Sequence, residues 1–206
     1  MATTLETKRR TTGMSILVVA LAAFDLLVLG VMHLLRPEVD VVTEATSSYA
    51  VGSFGFLATA ATFAVAVGAL VLAFALRKAI ATVSTLGVGM LTLFGVCKLI
   101  QAFFPIDVEP DLVTTTAGSV HNIVGNIAFF SLPIAAALVA RSLSRRSMIL
   151  SWLLVLSAVV VLTSGFAGGF GIAQRLFLVL SSLWMLFAAL DVRLFLHRSE
   201  RAELPE

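Results

Sequence analysis

The sequence predicts an all-α protein, a polytopic transmembrane bundle of six helices with both termini cytoplasmic, and three observations predict it. Six apolar blocks fill nearly all of the 206 residues, and five of them exceed the roughly 18 residues needed to cross a hydrocarbon core. Charged residues make up 13% of the chain, against about 25% in a soluble domain, and the mean hydropathy is +1.05. The blocks are long Leu, Val, Ala and Phe runs without the period-two alternation of a barrel strand, which excludes an outer-membrane barrel.

The first span, 13–35, follows Lys8, Arg9 and Arg10. Its apolar part, Met14 to Leu35, is longer than the roughly 7–15 residues of a signal-peptide core and lacks a small-x-small cleavage site, so it reads as an uncleaved helix. Residues 1–12 then form a cytoplasmic N-terminal segment. The second and third spans, 50–76 and 79–103, are joined at Arg77-Lys78, a connection so short that the two helices must be antiparallel. Gly52, Gly55, Ser84, Gly87 and Gly95 offer small surfaces for close helix approach. The fourth span, 118–140, contains Pro133, which predicts a kink. The fifth, 147–167, offers from Met148 to Phe166 only Ser151, Ser157, Thr163 and Ser164 as polar groups and is expected to face lipid. The Gly168-Gly169-Phe170-Gly171 run makes a tight turn into the sixth span, 172–196, and residues 197–206 are a cytoplasmic tail. No linker divides the chain, so 13–196 is one domain. Cys97 sits inside an apolar block and reads as a small packed thiol.

Orientation follows from the basic residues near the span ends. Lys8, Arg9, Arg10, Arg77, Lys78, Arg141, Arg145, Arg146, Arg193, Arg198 and Arg201 share one side, and only Arg36, Lys98 and Arg175 fall toward the other. Eleven against three places both termini in the cytoplasm of a multi-pass cell-membrane protein. The outer loops carry acids instead: Glu38, Asp40 and Glu44 in the first, and Asp107, Glu109 and Asp111 in the second.

Ionisable residues are costly inside a bilayer and mark sites. Lys98 lies about 8 Å below the outer end of the third span, at a rise of about 1.5 Å per residue. His121 and Asn122 open the fourth span at similar depth, Arg175 lies in the first turn of the sixth, and His33 ends the first. Gln101 shares a helix face with Lys98 at i,i+3, and Asn122 shares one with Asn126 at i,i+4. Taken singly, Lys98 and Arg175 fit snorkelling to headgroups, and His33 fits an ordinary interfacial residue. Two cations, two histidines and several amides at one depth are more than a structural bundle needs, and together they predict a polar pocket. Asp25 falls near mid-helix, where it must be neutral or hydrogen-bonded, with Asn126 as the expected partner. Asp191 and Arg193 are expected only to mark the inner boundary.

The fragments Phe104-Pro105-Ile106-Asp107, Gly118-Ser119-Val120-His121-Asn122 and Gly171-Ile172-Ala173-Gln174-Arg175, in that order and spacing, resemble the DUF 998 family (domain of unknown function) of small polytopic bacterial and archaeal membrane proteins. The resemblance covers about residues 14–196. It implies a fold and raises Asp107, His121, Gln174 and Arg175 above the other polar residues, but implies no activity.

The leading functional expectation is a binding site for a lipid headgroup or small amphiphile in the outer leaflet. Lys98 and Arg175 would pair with a phosphate or carboxylate, and Gln101, Asp107, His121, Gln174 and His33 would complete the site. Membrane lipids and a small amphiphile are the expected partners; nucleic acid is not. No cofactor is identifiable from the sequence. Three alternatives stay open. One is a membrane-embedded enzyme using Asp107 and His121, with Ser119 nearby, or a metal held by His33, Asp107 and His121. Another is haem held by His33 and His121. The third is a proton-coupled carrier using Asp25, although the two halves lack the self-similarity and broken helices of an inverted repeat. A buried Asp107–Arg175 ion pair is a further possibility.

Overall fold

The computed structural model describes residues 2–107, 114–164 and 168–202. Six α-helices carry the chain back and forth: α1 Ala2–Leu35, α2 Gly55–Ala79, α3 Thr85–Phe103, α4 Thr116–Val139, α5 Arg145–Ser164 and α6 Phe170–Ala202. All six are long and apolar enough to cross a membrane, and no strand occurs among the described residues. Six antiparallel passes leave both chain ends at one face, the terminal face; the loops after α1, α3 and α5 form the far face. Glu109 and Asp111 of the second far loop, and the last residues of the span expected at 147–167, lie outside the described residues.

The helix limits differ from the expected spans where local chemistry intervenes. The first helix starts at Ala2 rather than near 13, so the basic Lys8–Arg10 run is helical. The second span, expected from residue 50, begins later: residues 46–50 form a 3-10 turn, and α2 starts at Gly55, after Gly52 (φ +82°) and Phe54 (φ +60°) reverse the chain. Gly52 and Gly55 therefore serve a turn, not a helix contact. The third helix starts at Thr85, later than expected, because the Ser84 hydroxyl accepts from the Gly87 backbone N–H at 3.1 Å and fixes the N-cap there. Gly87 and Gly95 do sit at close helix contacts: a Cβ on Gly95 would lie 2.8 Å from Leu70, and one on Gly87 2.7 Å from Val139.

Packing between helices in lipid comes from van der Waals fit and interhelical hydrogen bonds, since lipid tails are as apolar as the side chains. The interior half toward the terminal face is accordingly built of small and branched residues in contact. Ala66, Ala69, Ala75 and Leu76 of α2, Leu132 and Ala136 of α4, and Trp184, Ala188 and Val192 of α6 are buried there.

Two expectations need correction in this half. The fifth helix does not simply face lipid. Its Ser147, Ser151, Leu154, Ser157 and Val161 stripe is buried, and Ser151 Oγ accepts from Trp184 Nε1 of α6 at 2.8 Å. The stripe's spacing of three and four residues puts its three serines on one face. Asp191 does more than mark a boundary. It is 5% exposed and its Oδ2 accepts from the Ser144 backbone N–H at 2.9 Å. An α6 carboxylate thus sits at the start of α5, where the helix dipole favours negative charge.

Candidate functional site

The far half of the bundle is not filled. A cavity of about 400 Å³ lies between α1, α2, α3, α4 and α6 under the first far loop. Asp25 and Ser182 line it, roughly 15–18 Å below the far helix ends by helical rise. Thr46, Ser47 and Tyr49 line it from the loop, and Lys98, Gln101 and His121 form a polar strip along the α3–α4 wall.

That strip is a directed chain of hydrogen bonds. His121 Nδ1 lies 2.7 Å from the Phe104 carbonyl oxygen. A carbonyl only accepts, so Nδ1 carries a proton. The other ring nitrogen, Nε2, lies 3.0 Å from Gln101 Nε2, and an amide nitrogen only donates. His121 is therefore a neutral imidazole. With its NH2 committed to His121, Gln101 turns its Oε1 to the Lys98 ammonium, which donates at 2.5 Å. A glycine makes the strip possible: a Cβ on Gly125 would lie 2.9 Å from Gln101 Nε2. Lys98, half-buried and facing the cavity, has one acceptor for its three N–H groups among the described residues.

Arg175 is in the opposite condition. It is 6% exposed and does not snorkel. Its Nε donates to His33 Nε2 at 3.0 Å, one terminal nitrogen donates to Val41 O at 3.0 Å and Glu44 O at 2.8 Å, and the other donates to Tyr49 Oη at 3.1 Å. His33 Nδ1 donates in turn to Leu29 O at 2.5 Å. Beside Arg175, Gln174 Oε1 accepts from Thr46 N at 2.7 Å and Thr46 Oγ1 at 3.1 Å. The Gly171 backbone N–H donates to Val42 O at 2.8 Å, and a Cβ on Gly171 would lie 2.6 Å from Glu44 O. The fragment Gly171-Ile172-Ala173-Gln174-Arg175 is thus a grip on the first far loop.

That loop is also held from within. Arg36 donates to Val51 O at 2.6 Å and Ser53 O at 3.0 Å, and pairs with Glu38. Asp40 accepts from the Val42 and Thr43 backbone N–H groups at 2.7 and 2.8 Å. Those backbone donors hold the Asp40 carboxyl below the usual carboxylate range, and the Arg36 hydrogen bond does the same for Glu38.

Asp107 accepts from Thr115 N at 2.9 Å and Thr115 Oγ1 at 2.7 Å. Thr115 Oγ1 in turn accepts from Gly118 N at 3.0 Å, capping α4. A Cβ on Gly118 would collide with the Asp107 carboxylate. Asp107 therefore ties the exit of α3 to the start of α4. It forms no ion pair with Arg175, and it does not bond His121, whose two nitrogens are taken.

The predicted site residues thus separate. Lys98, Gln101, His121 and Gln174 line the cavity; His33, Asp107 and Arg175 do not, and instead hold the loop and the α4 start. Neither His33 nor His121 presents a free ring nitrogen. Among the described residues no group of three or more His, Cys, Asp or Glu is placed to hold a metal ion. Asp25 is bonded by Ser182 Oγ at 2.6 Å, not by Asn126. It lines the same cavity as Lys98, with no ion pair between them.

The chain matches, over residues 13–191, the family model described as protein of unknown function (DUF998). It belongs to that family. No curated protein and no solved structure matches it. In this DUF998 protein, all three fragments that carry the resemblance lie at the far face, and each makes a bond that shapes the cavity: Phe104 with His121, Asp107 with Thr115, Arg175 with the first far loop. Reading the residues alone missed Tyr49, Thr46, Thr115 and Ser182. Tyr49 is the sole tyrosine, and a lone tyrosine next to the acidic first far loop was the one available signal. Thr46, Thr115 and Ser182 are undistinguished among many hydroxyl residues.

Proposed function

We propose that this integral membrane protein binds the anionic headgroup of a small amphiphile in the far-half cavity, with the far face outward and both termini in the cytoplasm of the cell membrane. One observation carries the reading: Lys98 presents an ammonium with a single protein acceptor to a mostly apolar cavity. An unneutralised cation there is stabilised by an anion brought in by a ligand. A phosphate or carboxylate at Lys98 also lies within the reach of the second Gln101 amide N–H, and the Gln174 amide N–H groups remain for a second oxygen. His33, Asp107 and Arg175 act as positioning residues.

Thermal stability of the purified protein in maltoside detergent, with dodecyl phosphate or dodecyltrimethylammonium added, tests the headgroup claim. Stabilisation by the phosphate only, abolished in Lys98→Met, is the expected result; equal effects of both amphiphiles, or none, overturn it. Orientation is tested by impermeant thiol labelling of intact cells on a Cys97→Ser background. A cysteine at Glu44 should label and one at Ser144 should not; the reverse pattern inverts the topology.

One observation favours a second reading, a carrier in which Asp25 takes and releases a proton. Asp25 lines the same cavity as Lys98 and, among the described residues, has only Ser182 as a direct partner. Amphiphile-dependent proton movement in proteoliposomes, lost in Asp25→Asn while binding persists, would favour it over simple binding.

A further inference from the structure

A second cavity of about 210 Å³ lies beside the first, between α4 and α5 at the start of α6. Its walls are Phe130 of α4 and Ala158, Val161 and Leu162 of α5, and it shares Asn126, Phe129 and Phe170 with the main cavity. The partition is therefore a pair of phenylalanines and one amide rather than a helix. Phe130 and Leu162 are each 51% exposed on the surface that faces lipid, so the chamber lies between the surrounding leaflet and the headgroup cavity. Asn126 sits about 15 Å from the far end of α4, deep in the apolar zone. No hydrogen bond to its amide occurs among the described residues, although an unsatisfied amide at that depth is costly.

Resting on the headgroup reading above, we propose that this chamber seats the hydrocarbon chain of a single-chain anionic amphiphile. The chain lies between α4 and α5, its headgroup reaches Lys98 past Phe129 and Phe170, and Asn126 bonds the polar linkage between the two. The volume is about half that of the main cavity, which suits one chain and not two. A chain leaving the leaflet for this chamber exchanges one apolar environment for another, so the chamber adds little affinity. What it sets is which molecules fit.

The test fills the chamber and varies the chain. Wild-type protein and Ala158→Phe are titrated in detergent with dodecyl phosphate and with butyl phosphate, and binding is read as the shift in melting temperature. The expected result is at least a tenfold weaker midpoint for dodecyl phosphate in Ala158→Phe, with the butyl phosphate midpoint unchanged within twofold. Equal loss for both probes, or no change for either, overturns the chain seat while leaving the headgroup reading intact. Binding of neither probe to wild-type protein overturns both. Leu162→Trp, at an exposed position, repeats the test without disturbing the core should Ala158→Phe fail to fold. A phosphate probe with a diazirine at its chain terminus supplies a second readout. Crosslinks to α4 and α5 around Phe130 and Leu162 support the seat; crosslinks confined to the first far loop overturn it.

Discussion

Arg175 and Lys98 are both cations held in the far half of the bundle, and their surroundings differ in kind. Around Arg175, at the junction of α6 with the first far loop, every guanidinium nitrogen donates to a protein acceptor, and Tyr49 and His33 pack beside it. Around Lys98, on the α3–α4 wall, one amide oxygen is the sole bonded acceptor among the described residues, and the side chain lines the cavity. A guanidinium suits the first setting because its donors are fixed in a fork that backbone carbonyls can match; an ammonium on a flexible stem suits the second. A buried charge that the fold satisfies is architecture, whereas one with donors to spare is an invitation to a ligand.

Substitutions should separate the two settings by the size of their effect on stability. Arg175→Met should destabilise most, by roughly 3 kcal/mol, because it strips the donor from four acceptors at once, three of them partly buried and the Tyr49 hydroxyl buried. Arg175→Lys should recover little of this, since an ammonium cannot reach four acceptors in a fork. Melting temperature in detergent reads both, and a loss confined to binding would erase the contrast with Lys98. Next in size is Thr115→Val, which removes the α4 cap and the Asp107 contact and should cost about 1 kcal/mol. Lys98→Met should cost less still, or stabilise slightly, because it removes a charge that the fold leaves uncompensated. The same variant should lose dodecyl phosphate binding entirely. If it melts as low as Arg175→Met, Lys98 is structural and the contrast collapses.

The smallest expected effect is that of pH on the first far loop. Its Asp40 and Glu38 carboxyls are held low by backbone and Arg36 donors, so they favour the folded loop once pH exceeds their ordinary, unfolded values. That contribution fades as pH falls through their lowered folded values. Proteolysis of the loop, followed from neutral pH downward, should stay flat down to the usual carboxylate range, rise from there, and level off only below the lowered folded values. A rise near pH 6 would point to a histidine instead.

Much of the fold was legible because crossing a bilayer leaves a strong mark: spans of apolar residues, basic residues at one face, glycines where α3 meets its neighbours. The far-half cluster was legible too, since depth follows directly from helical rise. What depth does not encode is direction around a helix axis or the order of helices in the ring. Asp25, Asn126 and Ser182 lie at similar depth, yet only α6 brings its hydroxyl to Asp25. Arg175 looked like a ligand-binding cation because its principal acceptors, Val41 and Glu44, are backbone carbonyls, which carry no residue signature. Asp191 was underestimated for the same reason: its partner is the Ser144 backbone N–H. The serine face of α5 was visible as spacing, but its meaning depended on Trp184 from another helix.

The bonds at the far rim fall into two clasps. One fastens α6 to the loop between α1 and α2 through Gln174 and Arg175; the other fastens α3 to α4 through Asp107, Gln101 and His121. Among the described residues, no hydrogen bond of the far half joins one clasp to the other. A seam therefore runs between them, with Asp25 on one bank and Lys98 on the other. Spin labels on the far ends of α3 and α6 should report the widest distance distribution in the molecule, and a molecule that touches both banks should narrow it. That seam is where the Asp25 carboxyl and the Lys98 ammonium border one cavity from opposite clasps.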